Sequence, residues 1–228
     1  QLKILRALAL GMKVAPEDAL ASQPAERPML IFVGDYVDRG PASAGVVERI
    51  LGLMRETAFE VRTLKGNHEE MVVRDFDLEM SQTWEKLGDA ANLASFGAKS
   101  SREIPVEYID WMRNLDTFFE EDSFILVHAG LNFEAEDPFS DQIAMRWIRD
   151  WYGKIRPEWL GDRIVVHGHT PMQQLPIEVF HKKLENPASG GILNIDNGCF
   201  MPHRPGFGHL CSFELTGREL RFEANRDV

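Results

Sequence analysis

Leu30 to Gly40 reads LIFVGDYVDRG, an apolar run that ends in two aspartates, an arginine and a glycine. Carboxylates at the tip of a buried strand are costly unless something compensates their charge, and a cation does that directly. Three further apolar runs end in the same manner. VRTLK leads into Gly66-Asn67-His68-Glu69, FILV into His128-Ala129-Gly130, and IVV into His167-Gly168-His169-Thr170. A glycine accompanies each set of donors, which lets the backbone turn sharply there. Carboxylate, amide and imidazole suit zinc, manganese or iron, and no thiolate is among them. Taken singly, each ending has an ordinary explanation. Gly-Asp after a strand is a common turn, a histidine beside a glycine is usually a satisfied loop residue, and Asn67 before HEE reads as a helix N-cap. Four such endings in one chain exceed what turn chemistry explains, so the collective reading is a metal site.

The elements that must position these donors follow from the apolar pattern. QLKILRALAL has helical spacing and stops at Gly11, and a Pro- and Ala-rich connection follows. MLIFVGD reads as a buried strand, ASAGVVERILGLMRE as an amphipathic helix, FEVRTLKG as a strand, and NHEEMVVRDF as the start of another helix. This order predicts parallel pairing through right-handed crossovers. Ligands then bind at the carboxyl ends of the strands, where all four polar endings lie. Residues 84–121 read as helix-dominated, covering one face of the sheet, with 120–122 as a solvated turn. SFILVHAG and DRIVVHGHT are strands, DQIAMRWIRDWY between them is helical, and the tail from GGILNIDNG reads as an antiparallel meander. Trp147, Trp151 and Trp159 are expected to pack against the sheet. Asn194 to Phe200 is a candidate substrate-facing loop. Residues 1–228 read as one α/β domain without internal repeats.

The formal charge of −11 repels nucleic acid and anionic lipid, so neither is an expected partner. A phosphate-bearing substrate then needs local positive charge. No apolar run reaches the roughly 18 residues of a membrane span. No secretory signal is visible, so a cytoplasmic location is expected, with Cys199 and Cys211 reduced.

GDYVDRG, GNHE, HAG and HGHT, in that order, resemble the metal-dependent phosphoprotein phosphatases of the calcineurin-like metallophosphoesterase superfamily, especially the short bacterial and phage branch. The likeness extends to LASFG, WIRD and NIDNG. It implies a metallophosphoesterase-type β-sandwich of mixed sheets flanked by helices. Asp35 would bridge two divalent metal ions, manganese or iron with zinc, while Asn67, His128 and His169 would complete the shell of the second. His167 has no ligand role in this reading. Arg39 and Arg149 would clamp the substrate phosphate, with Arg146 as the runner-up. His68 would act as general acid, with Asp38 accepting its other ring N–H. That set suits attack on phosphorus by metal-bound hydroxide. Guanidiniums grip the nonbridging oxygens, and a protonated imidazole serves the leaving group.

Three functions compete under this resemblance. The first is a phosphomonoesterase acting as a protein serine/threonine phosphatase, with a phosphorylated protein or peptide as partner. The second is a symmetrical dinucleoside polyphosphate hydrolase. The third, of a different class, is a non-catalytic phosphatase-like binding module. Glu70 after GNHE and the complete VDRG favour the first, and retention of Arg39, His68 and Arg149 argues against the third. The family's Asp-x-His-Gly motif is not found in the sequence. The resemblance predicts an Asp-x-His shortly before Gln1, carried by a further parallel strand beside residues 29–33. Residues 29–33 and 60–64 are expected to be strands buried on both faces.

Overall fold

The computed structural model describes residues 27–56, 58–78, 90–184 and 190–225. The helix expected over QLKILRALAL and the connection up to Glu26 lie outside the described residues, as does the first part of the middle segment. Strand β1 (Met29–Phe32) runs parallel to β2 (Glu60–Thr63), joined by helix α1 (Ser43–Arg55). Helix α1 buries Val46, Val47, Ile50 and Leu53, the one-sided stripe that a 3.6-residue period produces. Helix α2 (Asn67–Leu78) opens directly on the second polar ending. Helices α3 (Ala90–Ser95) and α4 (Val106–Arg113) complete this layer, whose core includes Ile50, Val72, Ile109 and Met112. Contrary to expectation, β1 is only half-buried along its length, and in β2 only Thr63 is buried. Among the described residues these two strands pair only with each other, so neither is enclosed by neighbours as a central strand would be.

The central sheet has four strands in the order β3 (Phe118–Glu121), β4 (Phe124–Val127), β5 (Ile164–His167) and β6 (Gly191–Asn194). Strands β4, β5 and β6 are parallel, and β3 is antiparallel to β4. Burial of both faces explains their unbroken apolar runs. Phe124, Leu126, Ile164, Val166 and Leu193 face one core, while Ile125, Val127, Val165 and Ile192 face the other. Helices α5 (Gln142–Trp147) and α6 (Pro157–Leu160) lie between β4 and β5 in the chain, and α7 (Gln174–Lys183) precedes β6. A third sheet, β7 (Asp196–Asn197), β8 (His209–Glu214) and β9 (Glu219–Ala224), is an antiparallel meander. Its Cys211 and Phe213 join the Leu126 and Val166 side of the core, completing a mixed β-sandwich flanked by helices.

Three sequence expectations are corrected here. Phe118–Glu121 is a strand rather than the end of a helical stretch. A tight turn with Asp122 at φ 49° pairs Glu121 with Phe124, and Phe118 and Phe119 enter the cores on opposite faces. The helix expected through Tyr152 stops at Trp147, because Ile148 is extended (ψ 139°). The tail divides: Gly191–Asn194 joins the parallel sheet, and the meander begins only at Asp196. Cys199 and Cys211 are not joined in a disulfide. No helix among the described residues is long and apolar enough to cross a membrane.

Candidate metal centre

The loop after β1 is shaped by backbone that few side chains tolerate. Gly34 has φ +100°, and a Cβ there would lie 2.6 Å from His128 Nδ1. Asp35, Asp38, Arg39 and His169 all have positive φ (60°, 71°, 61° and 68°), a conformation that non-glycine residues hold only when their surroundings enforce it. At the Asp35 end of the loop the enforcing group is Glu69. Its fully buried carboxylate accepts hydrogen bonds from the backbone N–H groups of Tyr36 (2.7 Å), Gly66 (2.9 Å), Asp35 (3.0 Å) and Val37 (3.3 Å). Burial, and then the charge of Asp35, push its pKa up. Tyr36 adds a second anchor, its hydroxyl donating to the carbonyl of Leu64 at 2.8 Å. The first two polar endings are thereby locked together before any ligand is considered.

The donors then converge. His128 lies 2.7 Å through Nδ1 from the Val33 carbonyl, which must accept that proton, so Nε2 turns a lone pair inward. Around this Nε2 stand Asp35 Oδ1, Asn67 Oδ1 and His169 Nδ1, each at 3.2 Å. Asn67 Oδ1 is also 2.8 Å from His169 Nδ1. Burial, then His128 and Arg149, lower the His169 pKa to about 3, so its ring is neutral near pH 7. Asp35 Oδ1 and Asn67 Oδ1 can only accept, so four potential ligand atoms crowd one point with few protons between them. That arrangement is unfavourable as a hydrogen-bond network and suited to a cation. Asp35, His128 and His169 offer ligand atoms within 4.8 Å of one another, and Asn67 supplies an amide oxygen to the same point. The residues fit a divalent metal.

A second constellation adjoins the first. His68 Nδ1 is 2.5 Å from Asp38 Oδ2, and Asn92 on α3 donates its amide to Asp38 Oδ1. Burial works against charge on His68, but the Asp38 hydrogen bond and the carboxylates of Asp35, Asp38 and Glu69 outweigh it and raise the pKa. The opposite ring atom, Nε2, lies 3.9 Å from Asp35 Oδ2 and therefore faces the donor cluster. Arg149 is exposed and reaches the His169 carbonyl at 3.3 Å and Thr170 Oγ1 at 3.2 Å. Arg146, the alternative, is tied to Glu70 Oε2 at 2.7 Å. Exposed Arg39 lies over the Phe200 ring, 4.5 Å from its centroid, so the 194–200 segment reaches the site through its last residue. Asn194 and Asn197 within it are buried and pin the Thr170 and Met172 carbonyls.

His167 turns away from the donors. It is buried, with Nε2 2.8 Å from the Tyr152 hydroxyl, and burial lowers its pKa to about 4. Glu69 and Asn92 received no role from the sequence, although Glu69 lies inside GNHE and Asn92 directly precedes LASFG. The available signal was a charged residue directly after two donors in a helix's first turn. Trp151 and Trp159 pack into the core as expected, whereas Trp147 is exposed.

The comparisons with known proteins fit this geometry. The model of the family described as calcineurin-like phosphoesterase matches residues 6–197. The chain belongs to that family. It is 26% identical over 188 residues to the asymmetrical bis(5′-nucleosyl)-tetraphosphatase PrpE of Anoxybacillus flavithermus, covering 75% of this chain and 70% of the relative. The PrpE of Oceanobacillus iheyensis is 26% identical, with 86% and 78% covered. A symmetrical bis(5′-nucleosyl)-tetraphosphatase of Nitrosomonas europaea is 31% identical over 107 residues, about a third of that relative's length (35%) and 47% of this chain. A crystal structure provisionally described as a diadenosine tetraphosphatase has the same fold, with TM-score 0.56 at 16% identity, covering 88% of this chain and 82% of that one.

Proposed function

We propose that the protein hydrolyses the phosphoanhydride chain of dinucleoside tetraphosphates, in place of the phosphoprotein reading that the motifs favour. The observation that carries the chemistry is the His68–Asp38 pair set beside four converging metal donors. The substrate class is supported by the names of the relatives, both asymmetrical and symmetrical tetraphosphatases. Glu70 no longer speaks for phosphoproteins, because it is occupied by Arg146 and by Trp147 Nε1 at 2.8 Å. It docks α5 onto α2 and marks no substrate.

Asp35, Asn67, His128 and His169 would hold a divalent ion. Bound divalent ions supply Lewis-acid stabilisation of charge on phosphoryl oxygens and acidify water. Arg39 and Arg149 bind nonbridging oxygens of the polyphosphate, giving the local positive charge that a chain of net charge −11 otherwise lacks. Asp38, fixed by Asn92, orients His68 so that its Nε2 carries the proton toward the departing oxygen. A nucleotide is a better leaving group than a serine alkoxide, so this proton transfer matters less for the anhydride than for an alkyl ester.

Parallel assays of diadenosine tetraphosphate and a phosphoserine peptide, with manganese supplied, test the reading. The dinucleotide is expected to show the larger kcat/KM. Release of ADP alone marks symmetrical cleavage, and release of ATP with AMP marks asymmetrical cleavage. His68→Asn should lower kcat on an alkyl phosphate by roughly 10²–10⁴-fold and on the dinucleotide by less. Faster peptide hydrolysis would return the phosphoprotein reading to first place.

A further inference from the structure

We propose that Trp147 is a stacking platform for a nucleobase at the mouth of the metal centre. This rests on the dinucleotide reading and names the part of the substrate that the phosphate-directed residues leave unaddressed. Three tryptophans lie between β4 and β5 in the chain. Trp151 is 1% exposed and the half-buried Trp159 packs against the core, but Trp147 is 40% exposed. Ile143, one turn earlier on α5, is 66% exposed, so the two form an apolar surface at helical i,i+4 spacing. A large indole left in water is the informative case, since an aromatic ring gains much from burial.

The ring is also held in place. Its Nε1–H donates to Glu70 Oε2 at 2.8 Å, and the same oxygen is 2.7 Å from Arg146 Nε. Burial tends to raise the Glu70 pKa, but the hydrogen bonds from Arg146 and Trp147 outweigh it and lower the value, so the bracket is charged near neutral pH. Little rotamer freedom then remains to be lost when a ligand stacks on the exposed face.

Its position suits a nucleotide. Glu70 lies one turn beyond Asn67 on α2, about 5 Å along the helix axis. The Trp147 carbonyl approaches the His169 ring without the geometry of a full hydrogen bond, and Arg149, two residues on, bonds the His169 carbonyl. Trp147 is thus tied to two of the metal-donor segments, to α2 through its indole N–H and toward His169 through its backbone, two residues before Arg149 in the chain. A 5′-nucleotide whose phosphate meets Arg149 can lay its base on the ring. Stacking adds no charge and tolerates any base, so it fits an acidic protein acting on a polyanion.

The test uses AMP and ribose 5-phosphate, which differ only in the base, with wild type, Trp147→Leu and Trp147→Phe. Binding is read as quenching of tryptophan fluorescence and as competition against p-nitrophenyl phosphate hydrolysis. The wild type is expected to bind AMP about ten-fold more tightly than ribose 5-phosphate. Trp147→Leu should abolish that preference, and Trp147→Phe, which keeps a ring but loses the Nε1–H, should retain most of it. The kcat/KM ratio of diadenosine tetraphosphate to inorganic tetraphosphate should fall about ten-fold in Trp147→Leu. Equal loss for both members of either pair would assign Trp147 a purely structural role and overturn the proposal. Lack of an AMP preference in wild type would overturn it as well, and a concentration-dependent dimer lost in Trp147→Leu would then assign the patch to a second copy. Failure to cleave the dinucleotide while the AMP preference holds would sink the substrate reading and leave the platform standing.

Discussion

Two regions meet at the ends of β1, β4 and β5, and their polar atoms are organised in opposite ways. In the donor cluster, Asp35, Asn67, His128 and His169 point electron pairs at one another across 2.8–3.2 Å, with almost no protons to share. In the bracket around it, each carboxylate and the His167 ring meet matching partners. Glu69 takes four backbone N–H groups, Asp38 takes His68 and Asn92, His167 meets Tyr152, and Glu70 meets Arg146 and Trp147. The contrast separates the metal donors from the residues that position the loops and His68 around them, although both groups are polar and lie in or beside the same motifs. Exposure alone does not distinguish them, since His128 and His167 are equally buried.

Substitution in each region should break the protein differently. The largest effect on function is expected for His128→Ala, which should lose bound metal and activity together, with a stability loss in the chelator-treated protein limited to the ring's packing and its bond to the Val33 carbonyl. Metal analysis beside a denaturant melt checks this. Normal metal content and turnover would remove His128 from the ligand set. Glu69→Ala should act in the opposite sense. Four buried N–H groups would lose their acceptor, a cost on the order of 4 kcal/mol or more, visible as a lower denaturation midpoint even without metal. A midpoint unchanged within error would mean that the loop does not depend on this clamp.

A smaller, pH-dependent effect belongs to His167. Its folded pKa of about 4 lies below the unfolded value of about 6.5, so the unfolded chain binds more protons between those limits. Its contribution is fully present above about pH 6.5 and is lost as pH falls toward 4, by roughly 2–3 kcal/mol across the window. His167→Gln removes the titration, so its melts at pH 7 and pH 5 should differ less than those of wild type. An equal difference in both proteins would assign the pH dependence to other groups. The smallest effect is expected at Glu70→Gln. Glu70 titrates below its usual value, so its ion pair stabilises the protein above the unfolded pKa and fades as pH falls through the folded one. The pair is partly open to solvent, and its removal should cost under about 1 kcal/mol at neutral pH. Loss of most of the fold's stability in that variant would show that α5 depends on the bracket far more than its exposure implies.

Much of the site was legible along the chain because its signal is local. A buried strand ending in a donor beside a glycine can be recognised without any knowledge of what lies opposite, and the four endings offered Asp35, Asn67, His128 and His169 among their donors, while the family resemblance chose these over His167. Helix α1 was equally clear, since a one-sided apolar stripe repeats over several turns. The misread elements were short or depended on distant partners. Phe118–Glu121 is a strand only because Phe124–Val127 lies beside it, and Gly191–Asn194 reads as part of the meander although it pairs with β5. Trp147 was expected in the core with its neighbours. The break at Ile148 that leaves it outside is not a Gly or Pro break and carries no sequence mark.

Residue types and their placement after apolar runs set the chemistry in advance, because they limit which donors exist and where the backbone can turn. Packing selected which of those donors share one point. His167 and His169 are two residues apart, and a strand's alternation sends one toward Tyr152 while the left-handed turn at His169 sends the other to the metal donors. Packing also selected what stands behind the site. Glu69 and Asn92 act on loops more than 30 residues away in the chain, at separations where no spacing rule applies and only the packed fold brings a carboxylate to a backbone N–H.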